Sequence, residues 1–523
     1  MFRLTELGTN MIRQLCSYLV QDSQLQRQWK SVFAVGFFTL LPLLLAVDLY
    51  IDDIERAMNG NLGWVRVGRP LADVLVGWLN FGRPVTAVSP LYTLVAIAIL
   101  SLVGVACARA YGIRSPVWTA IASLPLMAQP YALQAMSYGF DALFMAVALA
   151  SAITAAILVH RSKSWRIIAV ALALMLVSFN LYQPAANGFL VLTGCFCVAS
   201  SIGVLDRNWQ VLSLQWRLLI SAVIYAGGYG LYRLVVALFF EQRLNGYAAG
   251  AAEFKQFDSA LALKLFISAC EPLQMLAKDF GSLPVLLPFV LFFVSYAALL
   301  IQWRSLPVAV STLAGLLMVV VLAPGGMLLL RESFVRHPRV MLYFGPFLTS
   351  LILQLLTLSE RLKRPIWRLA VLPLIWLIVV MSYAYGHSFA AQARFEQGRI
   401  SRIVGAASFL QAKFSDQTLR FLMVEGTMPR SPVLQNTVRK FPLIDRLIPP
   451  LLDGDKTFGF SQLQLYGLHL KKRKLDDAEN YFSPSCQFVS DSICTSEFSL
   501  HKVAPDTLYL ELSPDPAPIR PST

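Results

Sequence analysis

The stretch YIDDIERAMNG, Tyr50 to Gly60, places Asp52, Asp53, Glu55 and Arg56 directly after an almost wholly apolar run that begins near Ser31. A carboxylate at such a boundary can act as a general base toward a hydroxyl. Two adjacent aspartates cannot aim at one atom in either helix or strand, so one is the candidate catalytic base and the other orients Arg56 or a sugar hydroxyl. A plain charged helix end is the bland alternative. The chain continues as GWVRVGRPLADVLVGWLNFGRP, Gly63 to Pro84, where Arg56 is followed by Trp64 and Asp73 as candidate substrate contacts and by Arg69. Its apolar piece, Leu71 to Leu79, is too short to cross a bilayer and is expected to lie along the interface or fold back.

Three later clusters add polar groups. SYGFDAL carries Asp141 at the start of an apolar run, where an uncompensated carboxylate is costly and marks a functional candidate. FNLYQPAAN brings Asn180, Tyr182, Gln183 and Asn187 to one turn, and RESFVRHPRV offers Arg331, Glu332, Arg336, His337 and Arg339. Guanidinium groups at that density suit a phosphate, which makes Arg69, Arg331, Arg336, His337 and Arg339 the candidate phosphate contacts. Carboxylate, amide and aromatic groups suit a sugar. Together with long apolar runs, the combination fits a lipid-borne sugar phosphate.

The elements that must position these groups are membrane helices. The chain has 523 residues, 56% hydrophobic and only 14% charged, with mean hydropathy +0.60, too apolar for soluble domains with polar shells. Windows of roughly 17 to 25 apolar residues, each able to cross a core of about 30 Å as helix, recur along it. They fall near 31–51, 86–108, 116–132, 139–159, 167–181, 184–205, 217–240, 283–302, 306–330, 340–358 and 369–389. The expected fold is thus an all-α polytopic membrane protein of about eleven spans.

The net charge of +14 sits largely in short loops, which favours positive-inside topology over nucleic-acid binding. Residues 1–30 form a polar N-terminal segment before a full-length span, so no cleaved signal is expected. That segment and the loops RAYGIR, HRSKSWR and SERLKRPIWR then face the cytoplasm. The loop 52–85, the acidic and arginine-rich clusters and the tail 391–523 face outward, leaving 31–390 as the membrane domain. The tail has mixed charge and turn signals. TLRFLMVEG and DTLYLEL read as strands and ARFEQGRISRIVGAASFLQAKF as an amphipathic helix, giving a small soluble α/β domain. Cys486 and Cys494, with seven residues between them, pair as a disulfide if the tail lies in an oxidising compartment; two unpaired thiols are the alternative.

Other chemistries lack their residues. The five histidines are scattered and no cysteine cluster accompanies them, so zinc has little support, although a divalent metal stays open and no cofactor is expected. Gly227, Gly228 and Gly230 fall inside a span rather than at a strand–helix junction, which argues against a phosphate-cradling loop. A transporter would set polar groups deep in several spans and carry internal repeats, neither of which is found.

YIDDIERAMNGNLGWVRVGRPLADVL, SYGFDALFMAVALA and LYQPAANGFLVL, in that order, resemble the type II glucosyltransferase family, bacterial and phage-encoded membrane enzymes that modify O-antigen and convert serotype. The likeness is good over about residues 45–200 and later is one of layout. It implies a GT-C-like fold with the active site between outer loops and membrane, in the bacterial inner membrane, with the C-terminal domain periplasmic. It implies an undecaprenyl-phosphate-glucose donor, supplied by a companion synthase and flippase, and a lipid-linked O-antigen acceptor. An acidic residue of the first outer loop serves as base, which maps onto Asp52 or Asp53, and Tyr138, Asp141, Tyr182 and Gln183 map onto the pocket. A transferase of the same class with another cell-envelope acceptor is the nearest alternative.

Overall fold

Apolar sequence in lipid must satisfy its own backbone hydrogen bonds, and helices do so within one segment. The computed structural model describes residues 22–523 apart from Val47, Lys163, 206–213, 247–252, Phe257, Phe334, Arg336, 415–417, 455–457, 474–491 and 513–523. Among the described residues eight helical stretches are long and apolar enough to cross a membrane: Ser23–Leu45, Leu91–Ala110, Ala142–Arg161, Gln183–Ser201, Leu214–Phe239, Leu283–Trp303, Pro338–Arg361 and Pro365–Lys413. The other three expected windows fall on shorter apolar helices, Pro116–Ala128, Trp165–Leu181 and Leu306–Leu322. The first of these is interrupted at Leu124, ahead of Pro125, whose missing N–H cannot extend the helix Pro116–Ser123. Residues 241–282, expected as a loop, contain the helix Leu261–Phe280, whose four charged residues keep it below the hydropathy of a span.

The chain divides into two units. One comprises Met1–Leu45, Gly63–Leu79 and Val88–Tyr383; the other comprises Ala46–Leu62, Asn80–Ala87 and Ala384–Thr523. The loop expected at 52–85 is therefore shared out: its middle belongs to the membrane unit and its flanks to the second. Within the membrane unit burial separates inner from outer helices. Ala142–Arg161 is 83% buried over its apolar window and Pro338–Arg361 is 94% buried, whereas Leu214–Phe239 is 22% buried and turns leucines and valines outward, as a lipid-facing helix does.

The second unit is built on a five-stranded sheet of order β2-β1-β5-β4-β3, with β1 Phe421–Glu425, β2 Lys471–Lys472, β3 Ser492–Cys494, β4 Phe498–Ala504 and β5 Thr507–Leu512. β1 runs parallel to β2 and β5, while β4 is antiparallel to β3 and β5. Ile400, Ile403, Ala407 and Leu410, at helical spacing on the long helix Leu372–Lys413, form one core with Leu422, Val424, Leu500, Leu508 and Leu510. The two expected strands and the amphipathic helix are all present in this unit.

Candidate active site

In the membrane unit the segment Gly63–Leu79 is wound into a tight knot. Trp64–Val67 forms a 3₁₀ turn, and Asp73, in the first turn of the helix Pro70–Leu79, accepts from the backbone N–H of Gly63 at 3.0 Å and of Trp64 at 2.7 Å. Asp73 thereby holds the loop's shape. Gly68 closes the turn at φ +73°, and its carbonyl accepts from Gln183 Nε2 at 2.7 Å and the Tyr232 hydroxyl at 2.9 Å. A Cβ there would stand 2.8 Å from Tyr232 Oη, so only glycine permits both the conformation and the approach.

The knot delivers Trp64 and Arg69 to Asp141. Trp64, fully buried, donates its Nε1–H to Asp141 Oδ1 at 2.7 Å, and Arg69 Nη1 lies 3.3 Å from the same oxygen. The Arg69 guanidinium also stacks over the Tyr182 ring, 4.6 Å from its centroid. Its Nε–H is buried and has no partner among the described residues. Arg339 in turn stacks over Tyr138 at 4.7 Å and donates its backbone N–H to Gln134 Oε1 at 2.9 Å. Tyr138 and Asp141 belong to one turn, closed by the Ala142 N–H donating to the Tyr138 carbonyl at 3.0 Å. Two guanidinium groups are therefore fastened to a single four-residue turn.

The acidic pair lies in the second unit. Asp52–Asn59 is a short helix, entered through Ile51 at φ +47° and closed by Gly60 at φ +61°. Left-handed backbone at a β-branched residue is strained, and such strain gathers at functional sites. Asp53 is 1% exposed and its Oδ1 lies 3.9 Å from Arg56 Nη1; Asp52 is partly exposed. The helix packs against Phe458–Leu465, and Tyr50 just ahead of it donates its hydroxyl to the Leu447 carbonyl at 2.5 Å.

Of the remaining candidates, Arg331 is exposed and paired with Glu253 at 2.7 Å, a surface contact of the kind worth about 0–1 kcal/mol. His337 is half-buried at the entry to the turn Pro338–Tyr343. Arg336 and Cys486 lie outside the described residues; Cys494 is disulfide-bonded. Asn180 and Asn187 serve the fold: the first donates to the Leu176 carbonyl, the second to that of Pro324 while accepting from Tyr225. Sequence reading missed Tyr232, Gln134 and Asp279, the last 1% exposed and accepting from Tyr131 at 2.9 Å. An acid ending an otherwise apolar-faced helix was the signal available for Asp279.

Two arginines stacked on tyrosines beside the buried acid Asp141, in a unit of apolar helices, form a polar site in a membrane protein. A family model described as glucosyl transferase GtrII matches residues 41–350, and the chain belongs to that family. It is a glucosyltransferase. It is also 25% identical over 427 residues, 79% of this chain and 84% of the relative, to an uncharacterised 55.3 kDa protein in the gtrB 5′ region of Salmonella phage P22. No solved structure matches it.

Proposed function

We propose that the chain transfers glucose from undecaprenyl-phosphate-glucose to a sugar of lipid-linked O-antigen on the periplasmic face of the bacterial inner membrane. The observation that carries this reading is the Tyr138–Asp141 turn with Arg69 and Arg339 on it, two stacked cations suited to one lipid phosphate. The buried, unmatched Nε–H of Arg69 is a donor such a phosphate oxygen would satisfy. The disulfide at Cys494 and the loop-charge pattern support a periplasmic second unit and a cytoplasmic N-terminus.

The step is a single displacement. Asp52 takes the proton of an acceptor hydroxyl, whose oxygen bonds to the anomeric carbon as the bond from that carbon to the phosphate oxygen breaks; the lipid phosphate leaves with the electron pair, and the arginines stabilise its charge. Asp52 is assigned this role because Asp53 is buried toward Arg56. Linkage analysis of O-antigen tests the reading, in cells that make polyprenyl-phosphate glucose, with the chain present and absent. A side-branch glucose appearing only with the chain is expected; unchanged linkages would refute it.

A further inference from the structure

The second unit contains a cavity of about 230 Å³ that the arginine site does not use. Asp48, Phe389, Gln392, Glu396, Gln462 and Tyr466 supply its chemistry, and among the described residues no lysine or arginine lines it. Its amides are held in fixed orientation. Gln392 accepts from the Ser431 N–H at 2.6 Å and donates to the Pro429 carbonyl at 3.2 Å, and both Gln392 Nε2, at 2.9 Å, and Gln462 Nε2, at 3.3 Å, donate to the Glu396 carboxyl. Gln462 is 6% exposed, and with its amide N–H spent on Glu396 its Oε1 is buried with no partner among the described residues. A native interior seldom leaves such an acceptor unmet unless a ligand or solvent meets it.

The lining selects among ligands. Two lining carboxyl groups with no lining cation among the described residues disfavour a phosphate; Arg394, which acts on Asp48, is not one of the lining residues. An unmet amide oxygen and an acid call for O–H donors, and the Phe389 and Tyr466 rings offer apolar area to C–H faces. The volume lies below the roughly 300–1,000 Å³ of pockets for drug-sized ligands, so it fits one ring rather than a chain. Ile51 and Ile54 also line the cavity, which places it at the strained entry to the helix that carries Asp52 and Asp53.

We propose that this cavity is a subsite for one neutral pyranose ring of the acceptor saccharide, with ring hydroxyls donating to Gln462 Oε1 and Asp48. The word acceptor rests on the transfer reading above; the pyranose site does not. Full-length protein in a sugar-free detergent is titrated with methyl glycosides of glucose, galactose, mannose and rhamnose, with cationic methyl glucosaminide, and with glucose 1-phosphate. At least one neutral glycoside is expected to bind, with affinity reduced about tenfold in Gln462→Leu, the loss expected for one hydrogen bond, and retained in Asp52→Asn. Leu465→Trp, at an exposed rim position, obstructs the cavity without touching its polar groups and is expected to weaken the same glycoside. Binding of no neutral glycoside, equal binding to wild type and both cavity variants, or preference for the cationic or phosphorylated probe overturns the proposal. Glycoside binding by a chain that alters no O-antigen linkage would leave the pyranose site standing and remove the transfer reading.

Discussion

In the membrane unit the buried acid Asp141 faces Arg69 at 3.3 Å and the Trp64 N–H at 2.7 Å, whereas in the second unit the buried acid Glu396 faces neutral donors, the amides of Gln392 and Gln462 and the backbone of Leu451. A carboxylate given a cation holds that cation in place, and a guanidinium so fixed keeps N–H groups to offer an anion. A carboxyl given only neutral donors is incompletely repaid for its burial: the Glu396 carboxyl, beyond the apolar stretch that ends near residue 389, is pushed up to about 6, chiefly by desolvation, with the hydrogen bonds from Gln392, Gln462 and the Leu451 backbone opposing. Asp48, in the same cavity, is also raised by burial, with Arg394 opposing. On the readings proposed above, the first arrangement suits a phosphate and the second suits hydroxyl groups.

The contrast is most exposed to the acidic pair. Asp52→Asn is expected to lower the rate of glucose incorporation by about 10²–10⁴, the usual range for a lost general base, and Asp53→Asn by less. Full activity in Asp52→Asn with loss in Asp53→Asn would exchange their roles, and full activity in both would remove the base. Next, Arg69→Met should cost about 10²–10³ in rate, as removal of one preorganised charge donor does, with Arg69→Lys between, since lysine keeps charge but not the stacking on Tyr182. The double variant Arg69→Met/Asp141→Asn separates catalysis from folding: it relieves the stranded acid, so expression should recover while activity does not.

Smaller effects probe the supports. Gly68→Ala forces a Cβ against Tyr232 Oη in left-handed backbone and should cost about 1–3 kcal/mol of stability, read as a lowered melting midpoint. Glu396 gives a pH signature with a definite sign. Its folded pKa, about 6, lies above the ordinary 4.5, so its contribution is full below about pH 4.5 and is lost as pH rises through about 6. The loss is about 2 kcal/mol on conversion of that shift. Glu396→Gln should flatten the fall in melting midpoint between about pH 5 and pH 7. A wild-type midpoint that rises over that interval would reverse the comparison.

Continuous apolar runs of spanning length determined the helices and their order, because lipid requires the backbone to be satisfied by a helix or a closed barrel, and a barrel strand would alternate in polarity. Two β-rich stretches and an amphipathic helix likewise announced the second unit, because each buries one face against the same core. The residue types of the site were legible too: Asp52, Arg69, Asp141 and Tyr182 stood out as polar groups beside apolar sequence. Their partners were not. That Asp73 would hold backbone, that Arg69 and Arg339 would meet one turn, and that loop 52–85 would be divided between units depend on contacts between residues up to about two hundred positions apart. Local periodicity reports which face of an element is apolar; which distant side chain fills the space opposite is decided only when the elements pack.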